Sequence, residues 1–345
     1  MTSSPGKTAS GSPRILVVLS ERERDLFFPG ELGKRLSSHV PERAWIFPER
    51  LARPFGDLLR AENPNVLVGC WSLPPIDRDA LDGCPALAYF CYLTGAPRTK
   101  MPRAFWERGG VASNWGNAIS NTIAECALTL VLSCLRQVPR FHEEMHIDRS
   151  WRAPSSDLPR SLFNRRVGIH GFGNVARELV KLLAPFDVEI EAWSAPVPPA
   201  VFEQAGVKQA AGLRELFANN EILIDAEALT PASEGSVNES VIEALQPGAV
   251  FVNVGRGKIV DEAALARRAA RGDISIGLDV YETEPLPADS PLRGLPNAVL
   301  LPHTAGPTVD RYPYCAIAAL DNLEAFLAGK PLPQAFPLDM FDRST

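Results

Sequence analysis

The sequence predicts an α/β protein of two lobes, each built on a parallel sheet, and three observations carry that prediction. First, 345 residues exceed the roughly 250 to 300 at which a single hydrophobic core stops growing. Second, short apolar or β-branched runs alternate with amphipathic stretches along most of the chain, as parallel strands joined by crossover helices require. Third, several of the runs are apolar almost without interruption, which fits strands buried on both faces.

Taken in order, residues Met1–Arg14 are rich in Ser, Gly and Thr and lack the apolar stretch of about 7 to 15 residues that marks a signal peptide, so a disordered tail is expected over residues 1–12. Strands are expected at Ile15–Leu19, Asn65–Gly69 and Leu87–Leu93, and again at Arg166–His170, Val188–Trp193, Ile222–Asp225, Ala249–Val254, Ile274–Val280 and Ala298–Leu301. Between these groups Ile123, Ala127, Leu130, Val131, Cys134 and Leu135 fall at three- and four-residue spacing, which predicts one long helix over Asn121–Phe141. The Pro-, Trp- and Arg-rich stretch Arg140–Arg165 has no regular period and is read as a connection or arm. A last helix is expected over Thr308–Leu327, capped by Thr308 and stopped by Gly329 and Pro331.

Composition narrows the function classes. The chain is 46% hydrophobic and 22% charged, an ordinary globular balance, and its net charge of -6 argues against nucleic acid or an anionic membrane surface as partner. No apolar run approaches the roughly 18 residues of a membrane span. The six cysteines show neither CxxC pairs nor a His spacing suited to zinc, so no metal site or disulfide framework is expected. These features describe a cytoplasmic chain with a small-molecule partner.

Four strand-end motifs carry chemistry. In Val167-Gly168-Ile169-His170-Gly171-Phe172-Gly173-Asn174-Val175-Ala176 a strand runs into a glycine turn and then a helix. That is the G-x-G-x-x-[GA] fingerprint in its required setting, with Gly171 for the tight turn, Gly173 for close approach of a pyrophosphate, and a helix N-terminus to receive it. Standing alone, such a turn also occurs without any ligand. The acid that grips the adenosine ribose is expected at the end of the next strand. There the chain reads Ser194-Ala195-Pro196, with neither an acid nor an arginine, so the choice between NAD and NADP stays open.

The second motif, Asn253-Val254-Gly255-Arg256-Gly257-Lys258-Ile259-Val260-Asp261, delivers an arginine between two glycines, and a guanidinium there suits bidentate capture of a carboxylate. The third, Leu278-Asp279-Val280-Tyr281-Glu282-Thr283-Glu284-Pro285, and the fourth, Leu301-Pro302-His303-Thr304-Ala305-Gly306, end strands with acids and with a histidine. Singly, Arg256, Glu284 and His303 each have a structural reading. Together they supply an anion clamp, a carboxylate and a proton carrier near one crevice.

With these motifs in this order the sequence resembles the D-isomer-specific 2-hydroxyacid dehydrogenases, which include phosphoglycerate dehydrogenase, glyoxylate and hydroxypyruvate reductases and D-lactate dehydrogenase. The resemblance spans about 65–329 and is strongest over 166–308. It implies an NAD- or NADP-dependent oxidoreductase acting between a 2-oxo acid and its 2-hydroxy acid. It also implies that Arg256 binds the substrate carboxylate and carbonyl oxygen, that His303 is the general acid, and that Glu284 pairs with it. Gly171, Gly173, Asn174, Val175, Ser194, Val254, Gly255, Asp279 and Gly306 then line the cofactor, Asp279 at its nicotinamide end. Trp71, Ser72, Thr94, Gly95 and Ala96 fall where the family holds its substrate. Departures from the pattern are Thr94 for a glycine, Arg98 for an aspartate, Ser194 for an aspartate and Ala228 for a proline. Arg98, Lys100 and Arg103 leave two readings open, a second anionic group on the substrate or a solvated basic turn.

The implied architecture is two Rossmann-like lobes, one flavodoxin-like and one dinucleotide-binding. The substrate lobe comes from both chain ends, 13–116 and 307–345, the nucleotide lobe from 117–306, and the cleft between them holds the chemistry. A homodimer formed through Asn121–Arg165 is expected. A rival of another class is a dinucleotide-sensing, corepressor-like binding protein of the same fold, which turnover of 2-oxo acids distinguishes. A formate dehydrogenase is disfavoured because formate offers no carbonyl to protonate.

Overall fold

The computed structural model of the chain describes residues 13–151 and 158–343. The tail expected over 1–12 lies outside the described residues, as does 152–157 of the expected arm. The chain divides into two compact units, Met1–Ile119 with Thr308–Thr345, and Ser120–Pro307.

The first unit holds five parallel strands, β1 (Ile15–Val18), β2 (Trp45–Ile46), β3 (Val66–Gly69), β4 (Tyr89–Tyr92) and β5 (Val111–Ser113), in the order β2-β1-β3-β4-β5. This is the flavodoxin-like order. β1, β3 and β4 are buried at every position, as the unbroken apolar runs require.

The second unit holds seven, β6 (Arg166–His170), β7 (Glu189–Trp193), β8 (Lys208–Gln209), β9 (Ile222–Asp225), β10 (Val250–Asn253), β11 (Ser275–Leu278) and β12 (Ala298–Leu300). Their order, β12-β11-β10-β9-β6-β7-β8, is the doubly wound arrangement that reverses between β6 and β9. Side chains alternate between two cores. Ile222, Ile224, Val250 and Val252 join Val167 and Ile169 on one face, while Leu223, Phe251, Ile276 and Leu278 face the other. Every strand of this sheet therefore points its C-terminal end the same way, and the reversal opens a crevice beside the end of β6.

Each expected strand is present. Three short strands, β2, β5 and β8, carry too few residues for a pattern to show, and all three lie at sheet edges. The helix expected over Asn121–Phe141 is two helices, Ser120–Leu135 and Val138–His146. The break falls at Gln137, whose φ of 53° is left-handed, just before Pro139, which has no N–H to continue the ladder. Part of the stretch read as an irregular arm is consequently helical. The last helix runs Tyr312–Leu327, with Pro313 in its first turn and no side-chain cap. Thr308 instead donates its hydroxyl to Asp310 at 2.7 Å, so its expected capping role is corrected.

Candidate active site

Gly171 follows β6 with φ of 90°, a conformation glycine adopts freely, and a methyl group there would lie 2.5 Å from the Cα of Glu227. Two residues on, Gly173 borders open space, with nothing within 4 Å of where a side chain would begin. Behind it the helix Asn174–Leu183 starts without any side-chain cap, so its first N–H groups and positive dipole end face that space. Buried Ala176 packs the helix onto the sheet. These features fit a dinucleotide pyrophosphate, with Gly173, Asn174 and Val175 as its nearest backbone.

Arg256 sits in a turn fastened on three sides. Asn253 accepts from the Gly255 N–H at 2.9 Å and donates to the Arg256 carbonyl at 3.2 Å. The Gly255 carbonyl accepts from the Arg256 guanidinium at 2.8 Å. Gly257 lies directly on the loop after β11, because a methyl group there would meet the Tyr281 carbonyl carbon at 1.8 Å. Only glycine permits that approach, and through it the arginine turn rests on the loop that carries Glu284. Asp261, the last acid of the motif, is structural: it caps the helix Glu262–Ala269 by accepting from the Ala264 N–H at 2.9 Å. Val254 is buried beneath the turn.

Tyr281 ties that loop to the next one by donating its hydroxyl to the Leu301 carbonyl at 2.8 Å. Glu284 accepts from the Tyr281 N–H at 3.1 Å through Oε1, and its Oε2 meets His303 Nδ1 at 2.7 Å. His303 has a left-handed φ of 54°, uncommon for a residue with a side chain. Backbone bonds hold it there: the His303 N–H donates to the Asp279 carbonyl at 2.8 Å, and the Thr304 and Ala305 N–H groups donate to the two Asp279 carboxylate oxygens at 2.7 and 3.0 Å. Asp279 is buried, which pushes its carboxyl up from the ordinary value against the pull of those two N–H groups. It is thus a brace for the histidine turn that ends at Gly306. Glu284 also lies within electrostatic reach of Arg256. The structure therefore brings Arg256, Glu284, His303 and Asp279 to adjacent strand ends of one sheet.

Ser194 is buried, and its hydroxyl donates to Glu227 Oε2 at 2.5 Å. No periodicity or motif singles out Glu227; the only sequence signal was the missing acid after β7.

In the first unit, Trp71 is 44% exposed and meets Trp115 and Tyr312 edge-on. Ser72 is hydrogen-bonded to Glu23: its N–H donates to Oε1 at 2.8 Å and its hydroxyl to Oε2. Glu23 is a buried carboxylate, legible in sequence only as the third residue of a capping box with Ser20. Thr94 is buried, while Gly95 and Ala96 are half-exposed, and the Gly95 carbonyl accepts from the Asn114 amide at 2.8 Å. The basic turn is internally engaged. Lys100 donates to the Trp71 carbonyl at 2.7 Å, Arg103 pairs with Asp342 and Glu107, and Arg98 lies over the Phe341 ring.

A doubly wound sheet with a turn shaped for a pyrophosphate, and an arginine, a carboxylate and a histidine beside it, defines a dinucleotide-dependent oxidoreductase. Residues 128–305 match the pattern of the D-isomer specific 2-hydroxyacid dehydrogenase NAD binding domain, and the chain belongs to that family. It is 31% identical over 277 residues to hydroxyphenylpyruvate reductase of Plectranthus scutellarioides, covering 79% of this chain and 86% of that protein. To the glyoxylate reductase/hydroxypyruvate reductase of Homo sapiens it is 34% identical over 227 residues, 64% of this chain and 68% of the relative. A solved glyoxylate reductase from Paecilomyes thermophila has the same fold, with a TM-score of 0.79 at 24% identity over 95% of this chain and 99% of that one.

Proposed function

We propose that the protein reduces a small 2-oxo acid to its D-2-hydroxy acid with Arg256, Glu284 and His303 as its working residues. The observation that carries this reading is the 2.7 Å contact between His303 Nδ1 and Glu284 Oε2, with Arg256 on the neighbouring strand end. A reduced nicotinamide, NADH or NADPH, supplies the hydride for the carbonyl carbon. Arg256 holds the substrate carboxylate and polarises the carbonyl through its planar fork. Glu284 engages Nδ1, which leaves Nε2 as the atom that gives a proton to the carbonyl oxygen. The side chain is 47% exposed, so solvent restores that proton after each turnover. In the first unit, Trp71 and the Thr94–Gly95–Ala96 loop are the groups assigned to the substrate.

Two further readings accompany this one. All six cysteines are free, five of them buried, which suits a reducing compartment such as the cytoplasm. Among the described residues no helix is long and apolar enough to cross a membrane. A homodimer formed through Asn121–Arg165 is the proposed quaternary state.

The test is a screen of glyoxylate, hydroxypyruvate, pyruvate and bulkier 2-oxo acids with NADH and with NADPH, following cofactor oxidation. Turnover of at least one acid is expected. Cofactor binding without turnover of any acid would favour a dinucleotide-sensing protein instead.

A further inference from the structure

β7 ends in Ser194-Ala195-Pro196, with no side chain able to accept from ribose hydroxyls as a carboxylate does and no cation for a 2′-phosphate. The gap is filled from another strand. Glu227, just past the end of β9, receives the Ser194 hydroxyl on Oε2 at 2.5 Å and the Ala228 N–H on Oε1 at 2.9 Å. Its own N–H donates to Asp225 Oδ1 at 3.0 Å. Asp225 is fully buried, so the anchor beneath Glu227 is itself packed in place. Close approach fixes it further, since a methyl group on Gly171 would lie 2.5 Å from the Glu227 Cα and one on Gly255 2.8 Å from its carbonyl oxygen. The half-buried carboxylate is thus wedged beside the phosphate-binding turn, next to the end of β7, and each of its oxygens keeps a lone pair beyond the one already used.

We propose that Glu227, positioned by Ser194, selects the unphosphorylated adenosine ribose and makes the protein prefer NAD(H) over NADP(H). This rests on the dinucleotide-binding reading of the Gly171–Gly173 turn. The free lone pairs accept from ribose hydroxyls, whereas the doubly charged 2′-phosphate of NADP meets a fixed negative charge. Like charges a few ångströms apart at a partly buried site cost about tenfold to a hundredfold in affinity. The acid has moved from the end of one strand to the loop of another while facing the same ligand atoms.

The experiment measures binding without substrate, titrating the purified protein with NADH and NADPH and following nicotinamide fluorescence. NADH is expected to bind at least about tenfold tighter than NADPH. Glu227→Gln, which keeps the shape and removes the charge, should shrink that ratio about tenfold, mainly by tightening NADPH. Because the effect is electrostatic, raising the salt concentration should shrink the wild-type ratio as well, a measurement that needs no variant to fold. Equal or tighter NADPH binding by the wild type, or a ratio unmoved by both Glu227→Gln and salt, overturns the assignment. Failure to bind either dinucleotide overturns the underlying cofactor reading and the assignment with it.

Discussion

His303 is held in place by its neighbours: Glu284 occupies Nδ1, and three backbone bonds to Asp279 hold the turn in which its φ is positive. A positioned general acid contributes about 10² to 10⁴-fold in rate, so His303→Ala should lose that much reductive turnover while NADH binding persists. Glu284→Gln removes the carboxylate that engages Nδ1, so reductive turnover should fall there as well. A pair that works as a unit, as proposed, makes the double variant cost far less than the product of the single losses. Rate measurements on the three variants decide this, and fully multiplicative losses would sink it. These residues were legible in sequence because each ends a strand within one contiguous motif. Glu23 and Glu227 were not. Their partners, Ser72 and Ser194, lie 49 and 33 residues away, and only the folded chain brings them together.

Local period reveals the buried apolar runs and misses what interrupts them. The apolar spacing from Ile123 continues past Leu135, so periodicity alone runs two helices into one, although Pro139 marked the boundary. Pairing between elements is less legible still. The helix Glu31–Ser37 is fastened to the helix Tyr312–Leu327 by Arg35, which donates to Glu324 at 2.8 and 2.7 Å and to Asp321 at 2.7 Å. Hydrogen bonding to Arg35 pulls the Glu324 carboxyl down to about 2. A carboxyl lowered on folding adds stability above its ordinary range, and that stability is lost as pH falls through that range toward about 2. Both side chains are about a third exposed, 32% and 37%, so solvent screening limits the pair to about 1 kcal/mol. Arg35→Met, which keeps the apolar stem, should therefore lower stability by about that amount at pH 7 and by progressively less below pH 4. Urea unfolding at several pH values measures it, and a deficit independent of pH would show that the clamp is not electrostatic.

At the scale of the molecule, the two parallel sheets were legible from the order of apolar runs, because connections between parallel strands are long, regular and of one hand. It could not reveal which surfaces meet another copy, since an apolar residue set aside for an interface looks the same in sequence as one set aside for a core. In the folded chain, exposure marks the candidates for such a surface. Along the helix Val138–His146 and the segment after it, Val138, Met145, Ile147, Trp151, Leu158 and Phe163 are all exposed, Ile147 to 69% and Trp151 to 79%. Single exposed apolar side chains are commonplace, but six of them among the described residues of 138–163 leave a large apolar area in water. A second copy would bury it on both partners at once, as a two-fold interface does, at roughly 25 cal/mol for each Å² of apolar area removed from water. Sedimentation equilibrium at micromolar concentration is therefore expected to give a dimer. Ile147→Glu with Trp151→Glu places charges within that surface and should yield monomers that still bind NADH, because the phosphate-binding turn follows β6 and does not involve this segment. A wild type that is monomeric under these conditions, or a double variant that stays dimeric, would place the interface elsewhere.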